Sequence, residues 1–320
     1  MIVCVSANPA IDRRVRLDRL TLGSVNRAAA TDSFAGGKAA HVAMAAKALG
    51  EEPVWIGFLG GPTGDHLEGQ LNDLGIRTVA VRTASRTRSN DEIIEGDGTI
   101  TEILEPGGEV RADELAEMFR VCEDHMQAAA AEGFCLVLSG SQPPGVPDDF
   151  YSELTLTARK YRGTVIVDTS GKALQESLKT KPDVIKPNRE EAEKVVGFRI
   201  DGEKAAAKAV RQLQAKGISE VALSLGSEGI VWSSKNGLLI ARPPHVEVIS
   251  TVGCGDASVA GLAVSRIRGL GAEDTVCLAV ACGAANCLAP LPGQIDAADV
   301  DRLTPRVEIE SISEEVSATY

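Results

Sequence analysis

The segment Thr251-Val252-Gly253-Cys254-Gly255-Asp256 places two glycines and a carboxylate at the head of an apolar run from Ala257 to Ile267. That run has helical spacing, so the glycines fall at a helix N-terminus. There, unpaired backbone N–H groups and the positive end of the helix dipole attract negative charge. Without side chains, Gly253 and Gly255 let a phosphoryl group approach the main chain, with the Cys254 N–H between them. Asp256 then stands where it can take a proton from an attacking hydroxyl. Together these residues point to phosphoryl transfer to an alcohol, with Asp256 as base and the helix N-terminus as an anion hole. The same hexapeptide also reads as an ordinary glycine-rich helix start capped by an aspartate.

A second glycine-rich element, Gly36-Gly37-Lys38, precedes a helical segment beginning near Ala39. Backbone amides and an ammonium group can converge there on an anion or on hydroxyls. It is not a Walker A loop, because the upstream glycine and the following Ser or Thr are missing. Asn188 and Glu191, three residues apart at another helix start, have two readings: a pair holding a hydrated magnesium ion, or a capping box in which each side chain caps the other's backbone.

Apolar, β-rich runs recur at Ile2 to Ser6, Val54 to Phe58, Cys135 to Ser139, Thr164 to Asp168, Asp183 to Ile185 and Glu220 to Ser224. Segments of helical period lie between them, at Ala39 to Leu49, Ala112 to Ala131, Asp148 to Tyr161 and Glu203 to Lys216. This alternation predicts an α/β fold with a mostly parallel central sheet flanked by helices on both faces. Ligands in such sheets bind beyond the carboxyl ends of the strands. Polar residues follow the runs at Asn8 to Asp12, Ser139 to Ser141, Asp168 to Gly171, Lys186 to Asn188 and Ser224 to Ser227. Two stretches, about 13–35 and 77–104, read instead as short polar-alternating strands with turns at Gly23-Ser24 and Gly96-Asp97-Gly98, and predict a small sheet projecting as a lid. After about Gly255 two helical segments close a single domain spanning 1–320. The tail from Pro305 is acidic and poorly patterned.

The formal net charge of −12 over 320 residues argues against nucleic acid as a partner and requires a local cationic cluster for any anionic substrate. The stretch from Arg13 to Lys38 is one basic region in an otherwise acidic chain. The seven cysteines contain no C-x-x-C pair and sit mostly in apolar runs, as reduced buried thiols do. The opening run has no basic flank, and no run approaches the roughly 18 apolar residues of a membrane span. The expectation is a cytoplasmic protein that does not engage a membrane.

Over nearly its whole length, from Asn8 to about Gly293, the chain resembles the ribokinase-like sugar kinases of the PfkB family. The resemblance rests on Gly36-Gly37-Lys38 with its helix and on Thr251 to Ala257 with Ala260-Gly261. The segments Asn8 to Asp12, Gly23 to Arg27, Thr87 to Asn90 and Thr101 to Gly107 look like the branch acting on phosphorylated ketohexoses, which includes 1-phosphofructokinase and tagatose-6-phosphate kinase. The resemblance implies an ATP- and magnesium-dependent kinase, with fructose 1-phosphate first and tagatose 6-phosphate or fructose 6-phosphate next. It implies that Asp256 is the base and that Gly253, Cys254 and Gly255 form the anion hole. The sugar phosphate would be held by Asp12, Gly37, Lys38, His41, Arg88, Asn90 and Ser139, with Arg27 reaching in from the lid, either its own or that of a partner subunit in a lid-mediated homodimer. Ser224, Gly226, Gly229, Gly283 and Asn286 would line the nucleotide, and Asn188 and Glu191 would serve the magnesium and phosphate site. The chain departs from the family pattern at His41, where that branch usually carries an asparagine that bonds the sugar, and at Cys254, where alanine is common. Two alternatives are a kinase for an unphosphorylated sugar or nucleoside and a catalytically silent sugar-phosphate-binding protein.

Overall fold

The strand and helix periods resolve, in a computed structural model describing residues 1–234 and 237–312, into two sheets of very different size. The chain begins with β1 (Ile2–Ser6), β2 (Ala10–Arg16), β3 (Ala30–Gly36), α1 (Lys38–Ala48), β4 (Val54–Leu59), α2 (Gly61–Asp73) and β5 (Arg77–Arg82). It continues with β6 (Arg88–Ile94), β7 (Ile100–Leu104), α3 (Ala112–Ala129), β8 (Cys135–Ser139), α4 (Phe150–Lys160), β9 (Thr164–Asp168), α5 (Gly171–Lys179) and β10 (Val184–Ile185). The last third contains α6 (Arg189–Val196), α7 (Gly202–Gln214), β11 (Glu220–Ser224), β12 (Ile230–Ser234), β13 (Gly237–Arg242), α8 (Cys254–Arg268), α9 (Ala272–Leu288), α10 (Ala297–Leu303) and β14 (Glu308–Ser311).

The large sheet runs β14-β13-β12-β11-β10-β9-β8-β1-β4-β5. From β11 to β5 neighbouring strands are parallel, and β12, β13 and β14 add an antiparallel edge. Every residue of β1, β4 and β8 is buried, as parallel strands covered on both faces must be. Alternate β1 residues point to opposite cores: Ile2 and Cys4 pack with α1, α8 and α9, while Val3 and Val5 pack with α3, α4 and α7. Helices α8 and α9 are apolar nearly all round because they lie inside the first of these layers.

The small sheet has the order β3-β2-β6-β7. Here the sequence reading needs correcting. Arg77 to Arg82 does not belong to the small sheet but extends the large one, pairing in parallel with β4 from Val54↔Arg77 to Leu59↔Arg82. As an edge strand it has one open side and so carries the polar alternation that suggested a projecting strand. The small sheet also begins earlier than expected, at Ala10 rather than Arg13. In the tail, Glu308–Ser311 forms an edge strand antiparallel to β13, and residues 313–320 of the expected unpatterned segment lie outside the described residues.

Close packing of α8 on α9 depends on Gly261. A Cβ there would lie 2.7 Å from the Cα and 3.0 Å from the N of Ala279, both backbone atoms. Gly261→Ala should therefore cost about 1–3 kcal/mol through overpacking. Gly69→Ala in α2, which meets nothing within 4 Å, should be neutral or stabilise by up to about 1 kcal/mol. Urea unfolding of the two variants checks this, and equal midpoints would contradict it.

Candidate active site

The carboxyl ends of β1, β8, β9, β10 and β11 and the inner face of the small sheet enclose one cleft of about 1300 Å³. That is room for two small molecules side by side. At its floor, α8 begins three residues earlier than its apolar run. Gly253 is its N-cap, in the left-handed region at φ 83°, and no side chain caps the first turn. A Cβ on Gly253 would also strike Pro292, 2.6 Å from its Cβ. The uncapped first turn, with Gly253, Cys254 and Gly255, lines the cleft.

Asp256, on that first turn, is buried beneath the cleft. Its Oδ2 lies 2.8 Å from His41 Nδ1, and the other ring nitrogen of His41, Nε2, lies 3.4 Å from Asp12 Oδ2. Asp12 is fixed in turn by Asn90, whose Nδ2 donates to its Oδ1 at 2.9 Å. It fits there because residue 36 is glycine: a Cβ on Gly36 would sit 2.1 Å from Asp12 Oδ2. Burial alone would push the His41 pKa down, but the bonds to Asp12 and Asp256 and the charges of both carboxylates outweigh it. The pKa is raised from 6.5 to about 9. Sequence reasoning placed His41 as a ligand for a sugar hydroxyl. In the structure both of its ring nitrogens face carboxylates, so His41 joins Asp12 to Asp256 instead.

A second charge cluster lies alongside. Asp168, fully buried at the end of β9, faces Lys186 Nζ at 3.2 Å through Oδ1 and Lys38 Nζ at 3.2 Å through Oδ2. Burial would raise its pKa, yet the two ammonium groups hold it below the usual carboxylate range. Two lysines against one carboxylate leave a net positive charge beside the first turn of α8. Lys186 Nζ would lie 3.3 Å from a Cβ on Gly255. Sequence reasoning noted Asp168 and Lys186 only as polar residues at the strand ends and gave neither a role in the site. Their position just after strands β10 and β9 was the available signal, and the need to hold a buried carboxylate charged is what brings them together. Ser139 Oγ donates to Asp168 Oδ2 at 3.4 Å, and Ser139 and Gly37 line the cleft. Arg88 also lines it, but its guanidinium donates to the carbonyls of Glu105 at 2.8 Å and Asn8 at 3.0 Å.

Other expected residues separate into two groups. Ser224, Gly226, Gly229 and Gly283 line the same cleft as Asp256. Asn188 and Glu191 line it too, and they also form the capping box of α6: Glu191 N donates to Asn188 Oδ1 and Asn188 N to Glu191 Oε2, each at 2.9 Å. Two residues lie outside this lining, and Asn286 corrects the sequence reading. Asn286 is buried outside the lining, where its Nδ2 donates to Val252 O at 2.7 Å and its Oδ1 accepts from Gly293 N at 2.8 Å. It pins the loop before α8 to the loop after α9 and does not face a ligand. Arg27 lies in the exposed loop between β2 and β3, away from the cleft of its own chain. On the same face of the small sheet as Asp12, two residues further along β2, buried Arg14 pairs with Glu92 at 2.6 Å and donates to Pro290 O at 2.7 Å, tying β2 to the loop after α9.

The raised His41 pKa has a signed consequence. Its stabilising contribution is complete below the unfolded pKa of about 6.5 and is lost as pH rises through about 9. Relative to His41→Asn, the unmodified protein should lose on the order of 3 kcal/mol between those limits. Urea midpoints taken at pH 6 and pH 9.5 for both proteins measure the difference, and parallel pH profiles would contradict it.

Known proteins extend this picture. The model of the pfkB family carbohydrate kinases matches residues 1–296. The chain is 33% identical over 308 residues to a 1-phosphofructokinase of Xanthomonas campestris, covering 95% of this chain and 93% of that protein. It is 31% identical to a tagatose-6-phosphate kinase of Staphylococcus epidermidis, covering 97% of this chain and 99% of that protein. Among solved structures, phosphofructokinase-2 of Escherichia coli in complex with fructose-6-phosphate superposes with a TM-score of 0.86 at 26% identity, over 95% of this chain and 98% of that one. The tetrameric inhibited form of the same enzyme superposes with a TM-score of 0.88 at 27% identity, over 95% and 98% of the two chains. The fold is therefore ribokinase-like, and the chain belongs to the pfkB family of carbohydrate kinases.

Proposed function

We propose that this protein transfers the γ-phosphoryl group of ATP to a primary hydroxyl of a phosphorylated ketohexose, fructose 1-phosphate first and tagatose 6-phosphate or fructose 6-phosphate next. The observation that carries the reading is the buried Asp256 on the uncapped first turn of α8, in a cleft that also reaches Asp12 and Lys38 on one side and Ser224 and Gly226 on the other. His41 occupies Asp256 Oδ2, which leaves Oδ1 to receive the proton of the acceptor hydroxyl. The amides of Gly253, Cys254 and Gly255 accept the charge on the moving phosphoryl oxygens, and Lys186 and Lys38 add positive charge beside them. Asp12, oriented by Asn90 and His41, holds sugar hydroxyls. The adjoining side of the cleft, with Ser224, Gly226, Gly229 and Gly283, takes the nucleotide.

A magnesium ion fits the donor set: the α6 capping box uses one Glu191 oxygen, and the second is a hard oxygen ligand on the cleft wall. Glu191 and Asn188 would hold the ion mostly through its waters, and it would offset charge on the nucleotide phosphates. A second reading, transfer to an unphosphorylated sugar or nucleoside, is favoured by one observation. Arg88 spends two of its donors on backbone carbonyls, and the small-sheet side of the cleft carries Asp12, Asp91, Glu92 and Glu102. In the first reading, Arg27 of a second copy supplies a further cation to the sugar phosphate. Leu22, Val25, Ile103 and Leu104 of the small sheet and its loops are exposed, which supports a homodimer joined there. We place the enzyme in the cytoplasm; among the described residues no helix is long and apolar enough to cross a membrane.

Asp256→Asn should keep nucleotide binding and lose about three orders of magnitude or more in kcat, because the base is removed while the amides remain. A coupled ADP-release assay over a panel of phosphorylated and unphosphorylated sugars and nucleosides, run on the native chain and on His41→Asn, reads both base and substrate. Near-normal turnover of Asp256→Asn would refute the base, and turnover with unphosphorylated acceptors alone would establish the second reading. Sedimentation at micromolar concentration should give a dimer or a multiple of it, and a monomer would remove the role given to Arg27.

A further inference from the structure

Two thiols meet at the foot of the proposed anion hole. Cys254, the first helical residue of α8, and Cys287, in the last turn of α9, have their sulfurs 3.3 Å apart, and both half-buried side chains line the cleft. Nothing in the phosphoryl-transfer reading uses either sulfur, since the anion hole there is made of main-chain amides. The other five cysteines are placed differently. Cys4, Cys122, Cys135 and Cys282 are fully buried with thiols pushed up mainly by desolvation, and Cys277 is half-buried, its ionisation opposed first by desolvation and then by Asp274 and Glu273. Reactive thiolate character and access from the cleft therefore coincide at one pair.

We propose that Cys254 and Cys287 form a dithiol modification site, which a small hydroperoxide entering the cleft converts reversibly to an intramolecular disulfide that disables the α8 N-terminus. At 3.3 Å either thiol can donate to the other sulfur, so the first thiolate formed keeps a hydrogen bond from its neighbour; with Cys254 as the donor, the Cys287 pKa is lowered to about 7 while that of Cys254 is raised. With hydrogen peroxide, Cys287 thiolate attacks one oxygen, forming S–O as O–O breaks. The departing hydroxide takes up the proton that Cys287 released, which leaves a sulfenic acid and one water; an organic hydroperoxide leaves the alcohol instead. Cys254 sulfur then attacks Cys287 sulfur: S–S forms, S–O breaks, and the second hydroxide leaves with the Cys254 proton as water. Two thiols are oxidised by two electrons and one hydroperoxide is reduced; an external dithiol reverses the step.

The fold links this bond to the site. Cys287 O already accepts from Ile249 N at 2.7 Å, and neighbouring Asn286 holds Val252 O, so the loop leading into α8 is anchored on the same turn of α9. Drawing the sulfurs from 3.3 Å to a bond of about 2.05 Å, at the dihedral a disulfide requires, pulls the start of α8 and the end of α9 together, and the share taken by the Cys254 main chain displaces the amides on either side of it. Preorganised donors aimed at a transferring group do not tolerate that displacement without loss of rate.

The test treats reduced full-length protein at pH 7.5 with a small excess of hydrogen peroxide and follows intact mass, peptide linkage and turnover in parallel. A loss of two mass units with a Cys254–Cys287 linked peptide is expected, together with a fall in turnover of tenfold or more that dithiothreitol restores. In Cys287→Ser the linked peptide is absent and whatever turnover the variant has resists the same dose. The proposal is overturned by a linkage elsewhere, by oxidation that stops at sulfinic acid without a linkage, or by full turnover with the bond formed. Because mass and linkage are read without any substrate, they stand apart from the kinase reading, which the sugar panel decides separately.

Discussion

Burying carboxylates in a cleft that must also receive anions is the constraint on which the rest of this architecture turns. Asp12, Asp168 and Asp256 all lie close to the same cavity, and an isolated buried carboxylate would be too costly to keep charged. The structure meets this by placing a cationic side chain from elsewhere in the chain against each of them. His41 on α1 serves Asp12 and Asp256 together, while Lys38 on the same helix and Lys186 after β10 share Asp168. Helix α1 thus carries a charge to both clusters within a single turn, and its glycine-rich entry is what lets it come so near the sheet ends.

This arrangement changes the meaning of individual residues. Lys38 looks in isolation like a free ligand for an anion, but it is half committed to Asp168, and only the surplus of two ammonium groups over one carboxylate faces the cavity. His41 looks like a replacement for an amide that would bond a sugar. The buried imidazole instead bridges the residue that would orient the acceptor and the residue that would deprotonate it, which makes acceptor placement and proton removal parts of one network.

Much of this was legible in the chain itself. The strand runs ending at Ser6, Ser139, Asp168 and Ser224 and the glycines before α8 are local signals, since burial on both faces demands apolar continuity and an anion hole demands residues without side chains. What sequence could not give was partnership. Asp168 reads as a strand end, and only the fold brings Lys38, 130 residues earlier, within 3.2 Å of it. Asn286 reads as part of a pocket wall, but helical phase turns it onto the loop before α8. Arg77 to Arg82 misleads because an edge strand of a large sheet and a strand of a small exposed one have the same polar alternation.

The contact of buried Arg14 with Pro290 O has a mechanical corollary. Strand β2 is the axis of the small sheet, and Pro290 begins the stretch that runs through Pro292, against Gly253, to Gly293, against His41. Any swing of that sheet wide enough to let a sugar pass must either sever this contact or drag residues 290–293 along with it. The wall on one side of the chamber is therefore tied to the floor on the other.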